Sequence, residues 1–88
     1  GLGDVYKRQN IDKRFVLETA FRNKARSVVL IHNHVNGIPV PSRDDLNTTK
    51  AVGDFFQGVN VHLLDHLIYT DEDIFSMAQI KKFAPLFI

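Results

Sequence analysis

Apolar residues recur along this chain in two rhythms. In residues 12–24, DKRFVLETAFRNK, Val16, Leu17, Ala20 and Phe21 follow the spacing i, i+1, i+4, i+5, which gathers them into one stripe of a helix. Arg14, Glu18 and Arg22 repeat every fourth residue on another face, where opposite charges pair across a turn. Asp12, just ahead of the stripe, has the short acceptor side chain of an N-cap. Ser27 to Ile31, SVVLI, is short, uninterrupted and β-branched, the pattern of a buried strand. It runs straight into His32. Asn36-Gly37 signals a turn, and Pro39 and Pro41 hold the next residues out of regular structure. Ser42, with Asp45 three residues on, opens a second helix predicted over residues 43–57. Leu46, Val52, Phe55 and Phe56 should turn inward there, with Gly58 as the stop. Residues 59–69, VNVHLLDHLIY, predict a strand bent near Asp65, and residues 74–77 a last short strand. The order helix–strand–helix–strand–strand predicts an α/β domain, a central β-sheet flanked by helices.

Composition narrows the picture. At 88 residues the chain holds one small domain, and 44% hydrophobic content excludes a disordered tail. Eleven basic and ten acidic residues, without a lysine or arginine block, make nucleic acid a poor main partner. There is no cysteine, which removes disulfides and thiolate zinc sites, so a metal would need His, Asp or Glu. No apolar run approaches the roughly 20 residues of a membrane span, and no signal-peptide pattern is present. The expected compartment is the cytoplasm. The opening GLGDVYKRQ stands apart. Asp4 to Gln9, DVYKRQ, resembles the translated end of a transposase sequencing adapter. Residues 1–9 are therefore expected to be foreign, with the domain proper over residues 10–88 and its earlier strands lost.

The chemistry concentrates in His32 to Asp45, HNHVNGIPVPSRDD. In extended chain, residues i and i+2 point the same way, so His32 and His34 can aim at one ion from the end of the strand. Asp45, in the first turn of the next helix, can add an oxygen. Two imidazoles and a carboxylate suit zinc and leave a fourth position open, as in catalytic zinc sites. A helix N-terminus adds a positive field beside them. Each signal alone reads equally as something plainer: His-x-His as a surface feature, Ser-x-x-Asp as a capping box. The adjacent letters His-Asn-His do not make an HNH nuclease, whose residues are spread over a hairpin and helix, and Asn33 has no metal role on that ground.

HNHVNGIPVPSRDD closely resembles the signature of the RadC family, in the JAB/MPN metalloprotease-like group with its JAMM motif: a glutamate, then His-x-His-Pro, six residues, and Ser-x-x-Asp. His32, His34, Ser42 and Asp45 fall on that motif in register. The likeness extends through FVLETAFRNKARSVVLIHNH, GVNVHLLDHLIYT and IFSMAQ, covering residues 12–80. It implies a JAB/MPN-like, cytidine-deaminase-like fold with a mixed sheet. It also implies a bacterial setting and zinc ligands at His32, His34 and Asp45. Ser42 would be a catalytic hydrogen-bond donor to an oxyanion or to the reacting water. The implied reaction is amide hydrolysis, on an unidentified peptide or isopeptide. Val35 departs from the motif's proline and Ile38 from a frequent polar residue. The motif's general-base glutamate has no counterpart: it belongs upstream, where the adapter-like segment sits, and Glu18 is on the outward helix face. Loss of a general base lowers a rate by roughly 100- to 10,000-fold, so activity here is expected to be impaired. The missing strands would also expose a sheet edge, which favours self-association.

Other residues have simpler expectations. Regular alternation puts His62 and His66 on one face of the strand and Asp65 on the other. For His66 a structural histidine bonded to backbone is expected ahead of a partner to the metal site. Phe15, Phe21, Phe55, Phe56 and Phe75 read as core. Two alternatives to an enzyme remain: a DNA-repair accessory protein that binds DNA, suggested by the family's name, and a non-catalytic MPN-type interaction module.

Overall fold

A computed structural model describes residues 11–34 and 37–87. The adapter-like segment, residues 1–9, lies outside these, as do Val35 and Asn36. Helix α1 spans Lys13–Arg22. The Asp12 carboxylate accepts the Phe15 amide at 3.2 Å, as its N-cap position requires. Arg14 pairs with Glu18 at 2.9 Å on the solvent side. Strand β1 runs Ser27–Asn33, two residues beyond the apolar run. Helix α2 covers Arg43–Gly58 and β2 covers His62–Tyr69. A short β3, Ile74–Ser76, precedes two 3-10 turns at Met77–Gln79 and Ala84–Leu86.

The sheet is mixed, in the order β1-β2-β3. β1 and β2 are parallel, joined across α2, and β3 returns antiparallel to β2. Both helices share one core with the sheet: Ala20 of α1, Val52 and Phe56 of α2, Leu30 of β1, Val61 just before β2 and Leu63 within it. Fully buried Phe56 is worth about 2–3 kcal/mol of apolar transfer, a large share of the stability of so small a domain.

Three local expectations need correction. Gly58 is not the helix stop, since α2 includes it. The chain turns at Asn60, which takes a left-handed φ of 61°. Its amide reaches Gln57 O at 3.5 Å and the Val61 amide reaches Phe56 O at 2.9 Å, a Schellman pattern that Asn tolerates because of its short polar side chain. Second, Phe15, Phe21 and Phe55 are exposed rather than core. Phe21 and Phe55 meet edge to face, centroids 5.9 Å apart, at the rim of the α1–α2 contact, where α1 is too short and too peripheral to cover them.

Third, β2 does not alternate regularly. Val28 pairs with Leu63 but Val29 pairs with Asp65, so Leu64 is an extra, bulged residue. One extra residue inverts every later side chain. His66 and Ile68 therefore join Leu63 on the helix-covered face, while His62 is exposed. The predicted common face of His62 and His66 is lost. The Asp65 carboxylate anchors the irregularity: Oδ1 accepts the His66 amide at 2.7 Å and the Ala78 amide at 2.9 Å, and Oδ2 accepts the Ser76 hydroxyl.

Helix α1 ends by the same Schellman device as α2, with Ala25 N bonded to Ala20 O at 2.9 Å and Lys24 at φ 51°. A left-handed lysine costs about 1 kcal/mol that glycine does not. Lys24→Gly should stabilise the domain by about 1 kcal/mol and raise Tm by about 4–8 °C for a chain of this size. A lowered Tm in thermal unfolding would contradict this account of the turn.

Candidate metal centre

β1 and α2 deliver the three ligand candidates to one point. His32 is the sixth residue of β1 and faces the helices, 1% exposed. His34 follows the strand, and its amide extends the parallel ladder to Tyr69 O at 3.0 Å. Asp45 sits in the first turn of α2, 3% exposed. This lies beyond the carboxyl end of a parallel strand and at a helix start, the usual place for ligands in α/β sheets. One donor atom from each of His32, His34 and Asp45 falls within 4.8 Å of the others.

Asp45 is placed by its own helix. The Ser42 hydroxyl accepts the Asp45 amide at 3.1 Å, and the Asp45 carboxylate accepts the Ser42 amide at 2.8 Å. This is a complete capping box. The plain reading of Ser-x-x-Asp is thus correct, and it also aims the carboxylate at the histidines. Ser42 itself is exposed at the rim. Its oxygen is the acceptor in the cap, and its hydroxyl still has a proton to donate.

The hydrogen count at the histidines does not close without a cation. His34 Nδ1 lies 2.7 Å from Ile38 O. A carbonyl only accepts, so Nδ1 carries the proton, and in a neutral ring Nε2 presents a lone pair. That lone pair faces Asp45 Oδ2, another acceptor, at 3.0 Å. Only a second proton or a metal ion makes this contact favourable. His32 Nδ1 lies 2.9 Å from Asp45 Oδ1. The pair is close enough for charge attraction but off the donor direction, and both His32 nitrogens are buried without a hydrogen-bond partner. An unpaired buried polar atom costs about 1–3 kcal/mol, a cost that ligation removes. The donor set and these unpaired nitrogens fit a divalent ion of the zinc type.

A model of the RadC-like JAB domain matches residues 4–82. The chain belongs to the RadC-like JAB domain family. It is 36% identical over 69 residues to a UPF0758 protein of Geobacillus thermodenitrificans, an alignment covering 78% of this chain and 30% of that protein. A UPF0758 protein of Pseudomonas syringae pv. tomato is 39% identical over 69 residues, covering 78% of the chain and 31% of the relative. The chain thus spans about a third of the length of the curated relatives it matches. Its mixed α/β sheet and two helices agree with a JAB domain of RadC type. Among the described residues, no helix is long and apolar enough to cross a membrane.

Within this RadC-like domain, Glu18 is not part of the ligand cluster; it is half exposed and paired with Arg14 on α1. Glu72 is exposed on the turn after β2 and is not part of the ligand cluster. Next to the cluster stand His66, for which a backbone partner is expected, and Thr49, which the sequence reading missed. Thr49 bonds the Asp45 carbonyl and His66, so His66 meets a side chain rather than backbone. The signal for Thr49 was there: Asp45, Thr49, Val52 and Phe56 are the buried positions of α2, spaced i, i+4, i+7, i+11.

Burial pushes the Asp45 carboxyl up, but the Ser42 amide, the His32 charge, the Ser42 hydroxyl and His34 outweigh it, and the net shift is down. Burial pushes His66 down to about 4; the pull of Asp45 upward is smaller. The signs agree. Asp45 contributes stability that is lost as pH falls through its lowered pKa. His66 takes a proton in the unfolded chain below about 6.5 but not in the folded chain until about 4, so acid favours unfolding over that window. The metal-free domain should lose up to about 3 kcal/mol between pH 6.5 and 4 from His66 alone. Denaturant unfolding in chelator at pH 7, 5.5 and 4.5 measures it, and a flat profile would refute the assignment.

Proposed function

We propose that this domain is a zinc-dependent hydrolase of the JAMM metallopeptidase type, acting on a peptide or isopeptide bond in the bacterial cytoplasm. The observation that carries the reading is the His34–Asp45 contact, in which two acceptors face each other at 3.0 Å beside a second, unpaired buried histidine. His32, His34 and Asp45 would hold the ion. When bound, zinc supplies Lewis acidity and lowers the pKa of a water at its open position toward 7. The chain's own residues do the rest. The Ile38 carbonyl fixes the His34 tautomer. The capping box fixes the Asp45 rotamer. Ser42 offers its hydroxyl proton to the oxyanion of an amide carbonyl, and the α2 amides add positive potential there. With neither Glu18 nor Glu72 at the cluster, turnover by this chain should fall about 100- to 10,000-fold below that of a domain with a general base.

The purified chain should carry about one zinc by elemental mass spectrometry, and His34→Ala should lose it. Ser42→Ala should keep the zinc, lose about 1 kcal/mol from the cap, and lower amide cleavage by a further 100- to 1,000-fold or so. A zinc-loaded chain that hydrolyses no peptide or isopeptide, even with a carboxylate such as acetate supplied in solution as general base, would sink the catalytic reading.

One observation favours a second role as an interaction module. Among the described residues β1 lies at the edge of the sheet, and Val29, Ile31 and Leu64 are exposed on the sheet face away from both helices, Ile31 at 60%. An unpaired edge beside an apolar face promotes self-association. Sedimentation should show concentration-dependent oligomers that Ile31→Lys disperses; a monomer at all concentrations would dismiss this role. DNA association predicts a steep loss of binding with salt, and the near balance of charges gives it no support.

A further inference from the structure

We infer that His66 is a positioning residue for the metal centre, holding the Asp45 turn of α2 through Thr49 and the His32 ring by stacking on it. The inference rests on the metal reading above and concerns residues outside the ligand set. The bonds have one consistent direction. The Thr49 hydroxyl has a single proton, and Asp45 O, 2.6 Å away, can only accept it. His66 Nδ1, 2.6 Å from the same hydroxyl oxygen, must therefore donate. The chain is His66 Nδ1–H to Thr49 Oγ, then Thr49 Oγ–H to the Asp45 carbonyl.

The same imidazole lies against a ligand. The His66 and His32 rings stack with centroids 5.9 Å apart and planes 24° from parallel. His66 thus stacks beside one ligand candidate and is tied by two hydrogen bonds to the residue that supplies another. It joins the strand carrying one ligand to the helix carrying the other. His66, Thr49, Asp45 and His32 are all buried, where a hydrogen-bonded chain is least exchanged with water.

A merely space-filling role explains this poorly. His66 Nε2 is buried without a hydrogen-bond partner, a cost that an apolar ring of similar size would not carry. The bulge at Leu64, with Asp65 anchoring it, is what turns this ring inward at all. What the imidazole supplies that phenylalanine cannot is the Nδ1 donor to Thr49.

The test is metal affinity of the folded full chain, by zinc competition with a chromophoric chelator and by the visible spectrum of the cobalt-substituted protein. His66→Phe keeps the ring and removes the donor. Thr49→Val removes the hydroxyl at nearly constant volume. His66→Asn keeps a donor near the Nδ1 position. We expect zinc to bind about 10- to 100-fold more weakly in His66→Phe and in Thr49→Val, with an altered cobalt spectrum. The double variant should be no worse than either single one, and His66→Asn should restore both readouts. Circular dichroism confirms folding, and Thr49→Val decides the matter if His66→Phe does not fold. Unchanged affinity and spectrum in folded variants would overturn the positioning role alone. Failure of the unmodified chain to bind zinc or cobalt would overturn the metal reading and this inference together.

Discussion

The Asp45 carboxylate is held from two sides. Its Oδ2 accepts the Ser42 amide at 2.8 Å and faces His34 Nε2 at 3.0 Å, while Oδ1 lies 2.9 Å from His32 Nδ1. The first contact belongs to helix initiation; the others belong to the candidate metal centre. Because one side chain serves both, the start of α2 and the ligand geometry cannot vary independently. The loop from His34 to Ser42 must return the chain so that the helix begins at this point. Gly37, at φ 80°, supplies a backbone conformation that other residues resist.

Electrostatics follows from the same arrangement. Burying a carboxylate costs free energy unless its oxygens are satisfied. Here the Ser42 amide donates to it at 2.8 Å and the cap and the neighbouring imidazoles add to the pull, so burial does not drive the group to its neutral form. The imidazoles are left worse off, with a lone pair of His34 opposed to oxygen and the nitrogens of His32 unpaired. Buried groups left without a partner call for an explanation, and a divalent ion would resolve the His34 contact and one of the two His32 nitrogens at once.

The bulge at Leu64 is the second constraint. It costs the sheet one ladder position, and in return it shifts the face of everything after it. Without it, Asp65 and Leu67 would face the helices, and His66 would face away. The triple bonding of Asp65 to the His66 amide, the Ala78 amide and the Ser76 hydroxyl stabilises the shift. It also fastens β3 and the following turn to β2.

The sequence by itself determined the elements and the ligand candidates, because both depend on local order. The 3.6 rhythm, the run SVVLI and the Ser42–Asp45 box all act over a few residues, and His32, His34 and Asp45 are recognisable by spacing. It did not determine which aromatic residues are buried: Phe55 and Phe56 are neighbours on α2, yet only Phe56 meets the sheet. Nor did it determine the stop at Asn60 in place of Gly58, or the inward turn of His66. Helix coverage, a bulge and a bond from Thr49 across to β2 each depend on where distant segments meet. Periodicity describes a residue's angle about its own element, and only the tertiary structure decides what stands opposite it.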